Sequence, residues 1–200
     1  MISYLVLQLK FLFLGLAEKL GPKKEKAPAV PSPRLRYRVH GSTEPYGYIE
    51  VGRLSWESIE KILANLNRPI DGFENILDFG CGTGRVLRNV INGDQTNLLG
   101  IDIDSAAIRW CQKDLHGARF EHIDPNPPTD FNSESFDLIF SISVFTHLDE
   151  RRQNQWLEEM CRLLQPGGIL IASVHGEHHR ELHSRELDMM SGFVFNDSNR

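Results

Sequence analysis

Apolar residues along the chain alternate between short continuous runs and longer stretches with an apolar residue at every third or fourth position. Runs at 76–79, 98–102, 135–141 and 169–174 predict buried strands, as in a parallel sheet, and 118–123 a further short strand. Helical spacing separates them. Ile59, Ile62, Leu63 and Leu66 predict a helix capped by Ser55 and ended by Pro69 and Gly72. Val86, Leu87, Val90 and Ile91 predict a helix opened by Arg85, and Ala106, Ile108, Trp110 and Cys111 one capped by Ser105, with Asp104 as charge at its start. Trp156, Leu157, Met160, Cys161, Leu163 and Leu164 form the face of a helix starting at Asp149 or Glu150 and stopped by Gln165-Pro166-Gly167-Gly168. Strands alternating with helices predict an α/β fold: a doubly wound, mostly parallel sheet with helices on both faces.

The first part of the chain follows neither pattern. Residues 1–20 are rich in Leu, Ile, Val and Phe but are interrupted by Lys10 and closed by Glu18 and Lys19, and the apolar run 11–17 is too short to span a bilayer. The segment reads first as a helix docking on the domain or a loosely ordered leader, and second as a helix lying on a membrane surface or a partner. Residues 21–33, with Lys23, Lys24, Lys26 and four prolines, read as a polar linker. The expected division is 1–33 as apolar segment and linker, and 34–200 as one domain with its core at 76–174. Residues 34–52, with Tyr37, Tyr46 and Tyr48, carry no assignable regular structure.

The chemistry gathers at Ile76-Leu77-Asp78-Phe79-Gly80-Cys81-Gly82-Thr83-Gly84-Arg85, a strand running into a glycine turn. Glycines at alternate positions let a ligand lie against bare main chain. A dinucleotide fingerprint would place its third glycine at 85, which is arginine here, and would set a pyrophosphate beside Asp78. A ligand carrying an ammonium, a sulfonium and only a carboxylate tolerates that acid, which describes S-adenosylmethionine. Asp102 ends the second strand 22 residues beyond Gly80, where a carboxylate can accept from two ribose hydroxyls at once.

The turn resembles motif I of the class I S-adenosylmethionine-dependent methyltransferases. The spaced Asp102, the Phe136-Asp137-Leu138-Ile139 strand and Leu164-Gln165-Pro166-Gly167-Gly168 match that family in order, over about half the chain. The resemblance implies a Rossmann-like fold with S-adenosyl-L-methionine as cofactor. It implies cofactor contacts at Asp78, Gly80, Cys81, Gly82, Arg85, Asp102, Ile103, Asp124 and Ser143, with Asp124 at the adenine amino group. Asp124 before Pro125 also reads as a turn former, and Asp137 reads as structural. After the fourth strand, Ser143-Val144-Phe145-Thr146-His147 would face the acceptor. His147 is the candidate general base, or else a histidine fixing its loop. The family sheet has seven strands; past Val174 only 193–195 reads as a strand, so the domain is expected to be C-terminally incomplete and the fifth strand to keep an open edge.

Net charge is −5, which speaks against non-specific nucleic-acid binding. Cys81, Cys111 and Cys161 lie far apart, which fits a reduced, cytoplasmic-type protein. His175, His178, His179 and His183 with Glu177 and Glu181 read as a solvated surface rather than a metal site, and no metal is expected. The leading expectation is methyl transfer to a small-molecule or glycan-related acceptor. The alternatives are a non-catalytic methyltransferase-like module and, third, an NAD-dependent oxidoreductase.

Overall fold

The computed structural model describes residues 2–20, 29–91 and 97–174. Five parallel strands form one sheet: β1 (Asn75–Phe79), β2 (Asn97–Asp102), β3 (Arg119–His122), β4 (Phe136–Ser141) and β5 (Leu164–Ala172), in spatial order β3-β2-β1-β4-β5. The order reverses direction beside β1, which pairs with β2 on one side and β4 on the other. Alternate side chains along β1 feed two cores. Ile76 packs with Trp56, Ile59 and Leu63 of α3 (Pro45–Asn65) and with Ile108 and Cys111 of α4 (Ser105–Asp114). Leu77 and Phe79 pack on the opposite face with Trp156, Met160 and Leu163 of α5 (Glu150–Leu163). The doubly wound α/β expectation therefore holds.

Several local expectations do not. The stretch 34–52 is helical, divided between α2 (Pro33–His40) and α3. Ser32 caps α2 by accepting from the Leu35 N–H, and Pro33 and Pro45 stand at the first turns of their helices, where the missing N–H costs nothing. α3 thus starts ten residues before Ser55, and its buried stripe is Tyr48, Gly52, Trp56, Ile59 and Leu63. The helix expected after Arg85 is instead a series of turns and one 3-10 turn at Leu87–Asn89. The Asn89 amide donates to the carbonyls of Arg85 and Val86, a local alternative to the helical ladder.

Asp104, not Ser105, caps α4, accepting from the N–H groups of Ala106 and Ala107. β5 begins at Leu164 and runs through Pro166-Gly167-Gly168, which had read as a break. Its register against β4 shifts between Phe136 and Leu138, so the extra residues bulge out of the ladder. Asp137 is structural as expected: its carboxylate accepts from the N–H groups of Glu74 and Asn75 and ties β4 to the entry of β1. Among the described residues β5 is an edge strand. The expected strand at 193–195 and the histidine-rich stretch lie outside the described residues.

α1 (Ile2–Leu20) docks on α2. Phe11 is buried with its ring 5.4 Å from that of Tyr37, and Glu18 pairs with the wholly buried Arg36. Arg36 also donates to the carbonyl of Thr43 at 2.7 Å and to that of Pro31.

Candidate cofactor and acceptor site

The carboxyl ends of the strands bring most of the expected residues to one edge of the sheet. In spatial order they are Asp124 after β3, Asp102 and Ile103 at the end of β2, Gly80 to Gly82 after β1, and Ser143 and His147 after β4. The edge follows from topology: parallel strands all deliver their following loops to the same side, and a cleft opens where the order reverses.

The turn is held by the neighbouring strand. Gly80 and Cys81 both donate their N–H groups to the Ile101 carbonyl, at 2.8 and 3.0 Å. Gly80, Gly82 and Gly84 all have positive φ, which a side chain would resist. The Asp102 carboxylate accepts from the Gly82 N–H at 2.7 Å through one oxygen and from the Asp104 N–H at 2.7 Å through the other. Each oxygen keeps acceptor capacity for a hydroxyl. Burial raises the Asp102 pKa above the ordinary range, opposed by those two backbone hydrogen bonds. Ile103 beside it is exposed, and His122 Nε2 lies 3.1 Å from its carbonyl.

Asp78 and Arg85 lie deeper. Asp78 is buried, and burial, then the nearby Asp102 charge, pushes its carboxyl well above the usual range. One of its oxygens has no hydrogen-bond partner, nor does Nε of Arg85. Arg85 turns under α3 towards His40, with Nη1 3.1 Å from Nδ1, and burial lowers its pKa. Burial and the Arg85 charge likewise lower that of His40. Both residues support the turn from beneath. The Cys81 thiol is buried too, and burial pushes it well up.

Ser143 has φ +62°, uncommon for a residue with a side chain, and its N–H donates to Ser173 Oγ at 2.7 Å. That strained loop ends β4 and leads into the 3-10 turn Phe145–His147, where His147 is exposed at the same edge. Asp124 is exposed as well.

Three residues missed in the sequence shape the edge. Val39 of α2 lies over Gly82: a Cβ built there would sit 3.1 Å from its methyl carbons. Arg38 pairs with Asp104 at 2.6 Å. Tyr48 is fully buried, its hydroxyl 3.0 Å from the Thr83 carbonyl and 2.9 Å from Thr83 Oγ1. The Ser32-Pro33 cap was the available signal for the helix carrying the first two. A groove of about 670 Å³ opens at the opposite, amino edge of the sheet, lined by residues including Asn75, Asn97, Arg119 and Asp130, and holds none of the expected site residues. Among the described residues no cluster of His, Cys, Asp or Glu is arranged to hold a metal.

Residues 76–168 match the model of a methyltransferase domain. Over that stretch the chain is similar to the class I S-adenosylmethionine-dependent methyltransferases. Among curated relatives, "Probable tRNA methyltransferase 9B" of Homo sapiens is 28% identical over 160 residues, covering 77% of this chain and 32% of the relative. "Malonyl-[acyl-carrier protein] O-methyltransferase" of Methylococcus capsulatus is 29% identical over 163 residues, covering 78% and 58%. The chain thus spans about a third of the first relative and somewhat over half of the second. Two solved structures share the fold. The plantazolicin methyltransferase BpumL, solved with a pentazolic desmethylPZN analog and SAH, has a TM-score of 0.57 at 19% identity over 78% of this chain and 58% of that one. The PH0226 protein of Pyrococcus horikoshii OT3 has a TM-score of 0.54 at 22% identity over 68% and 63%.

Proposed function

We propose that the protein transfers the methyl group of S-adenosylmethionine to an acceptor bound at the carboxyl edge of the sheet. The observation that carries this reading is the Asp102 carboxylate, fixed by the Gly82 and Asp104 N–H groups beside a turn of positive-φ glycines. The residues fit the cofactor chemically. Asp102 would accept from the ribose hydroxyls, Ile103 would lie against the adenine, and Asp124 would accept from its amino group. Gly80 to Gly82 would present bare backbone to the methionine portion, with Asp78 and Arg85 setting the charge beneath and Ser143 closing the β4 side. When bound, the cofactor supplies an electrophilic methyl on a sulfonium sulfur. The protein's own contribution is then alignment, together with a base for a hydroxyl acceptor. His147 would take that proton.

The acceptor class is broader than the sequence reading allowed. Net charge had argued against nucleic acid, yet relatives carry names that include a tRNA and an acyl-carrier-protein methyltransferase. A small molecule, a glycan-related hydroxyl and a nucleic acid all remain candidate acceptors. A non-catalytic methyltransferase-like module is the second reading, favoured by Val39 packed over Gly82.

Calorimetric titration of the 200-residue chain with S-adenosylhomocysteine, beside Asp102→Ala and beside NAD, tests the assignment. Binding by the wild type and its loss in the variant are expected. Failure of a folded wild type to bind favours the non-catalytic module, and binding of NAD alone overturns both.

A further inference from the structure

We propose that α1 is a docking helix for the surface of an anionic lipid bilayer, seated through Leu12, Phe13 and Leu16. The helix has two unlike sides. Its inner side is committed to the domain through Phe11 on Tyr37 and Glu18 on Arg36. Its outer side leaves Leu12, Phe13 and Leu16 exposed at 62%, 71% and 50%. Such side chains on one helix form an apolar surface without a partner among the described residues.

Charge identifies the occupant. Residues 1–33 hold five lysines (Lys10, Lys19, Lys23, Lys24 and Lys26) against Glu18 and Glu25, a net +3 in a chain of −5, so the remainder carries −8. In the sequence the cations fall in the same segment as the apolar side chains. Lys10 is exposed on α1, and the exposed Arg34 of α2 lines the same groove as Leu12 and Leu16. Apolar side chains that enter the acyl boundary and cations that meet anionic headgroups are the two components of interfacial binding. The acidic body would be repelled by the same surface, which orients the molecule with α1 down. A second copy is a poorer occupant, because two lysine-rich segments would be brought together.

The helix lies along the interface. Its 19 residues span about 28 Å, but Lys10 sits at its middle, and no helix among the described residues is long and apolar enough to cross a membrane. The inner side, clamped by buried Arg36, stays on the protein.

The inference does not rest on methyl transfer, and vesicle co-flotation needs no cofactor. The full chain is mixed with phosphatidylcholine vesicles with and without phosphatidylglycerol. Flotation with the anionic vesicles, much weaker flotation with the neutral ones, and weakening by salt are expected. The triple variant Leu12→Ser, Phe13→Ser, Leu16→Ser, altered only at exposed positions, should stay folded by circular dichroism and cease to float. Arg34→Ala should weaken partitioning about fivefold. Absence of flotation by the folded wild type overturns the proposal, as does undiminished flotation of the triple variant. A wild-type dimer that the triple variant dissociates, without vesicle binding, overturns it in favour of self-association.

Discussion

Asp102 accepts the Gly82 N–H at 2.7 Å across the end of β2, so the acid proposed to receive a ribose also holds the glycine turn. Its second oxygen accepts from the Asp104 N–H. An amide cannot satisfy both donors, because one of its two atoms is itself a donor. Asp102→Asn should therefore cost about 1–3 kcal/mol of stability in denaturant titration and also lower affinity for S-adenosylhomocysteine. Weakened ligand binding with unchanged stability would mean that the turn does not depend on this carboxylate.

Arg38 and Val39 set α2 across the same edge. The Arg38–Asp104 pair is partly exposed, a kind worth about 0–1 kcal/mol. Arg38→Ala should speed S-adenosylhomocysteine association in stopped-flow measurements, by no more than about fivefold, with the thermal midpoint nearly unchanged. An unaltered or slower association would place the entry elsewhere.

Gly52 is the point where α3 meets the turn segment. A Cβ there would lie 2.2 Å from the Arg85 carbonyl oxygen, and backbone cannot step aside as a flexible side chain can. Alanine would gain about 1 kcal/mol in helix propensity. The clash should exceed that gain, so Gly52→Ala should destabilise by about 1–3 kcal/mol. A rise in the thermal midpoint would show that α3 can shift off Arg85.

Acid stability should depend on Glu159. Burial alone would raise its pKa, but hydrogen bonds from Arg162 and from the Thr129 hydroxyl and N–H outweigh it and hold the carboxyl at about 2. With the folded value below the unfolded 4.5, its stabilisation is complete above pH 4.5 and disappears as pH falls toward 2. Glu159→Gln should lower stability at neutral pH by about 1–3 kcal/mol and flatten the acid limb in that window. An unchanged acid limb would assign it to other carboxylates.

The sheet and the carboxyl-edge acids were legible because each rests on a local signal. Short apolar runs gave the strands, alternating glycines gave the turn, and Asp102 closes an apolar run 22 residues beyond Gly80. What escaped depends on contacts between distant segments. Arg36 and Tyr48 lie in a stretch that carried no assignable structure, yet both are fully buried because Glu18, Thr43 and Thr83 satisfy their polar atoms. Gly52 ended that unassigned stretch, whereas in α3 it allows the close approach of the helix to Arg85. The helix expected after Arg85 failed for a local reason, the Asn89 amide, that apolar spacing does not register. Pro166 to Gly168 looked like a boundary because sequence cannot reveal a bulge pinned by the neighbouring β4.

Arg88 gives the turn a mechanical character. Its guanidinium lies 5.2 Å from the Tyr48 ring centre and 5.8 Å from that of Trp110, and donates to the carbonyls of Gly84 at 3.3 Å and Ala29 at 2.7 Å. One side chain thus fastens the approach to α2, the glycine turn, α3 and α4 at a single joint. Tension applied to the leading segment would be borne by the turn through that joint, and the indole of Trp110 gives the load an optical reporter.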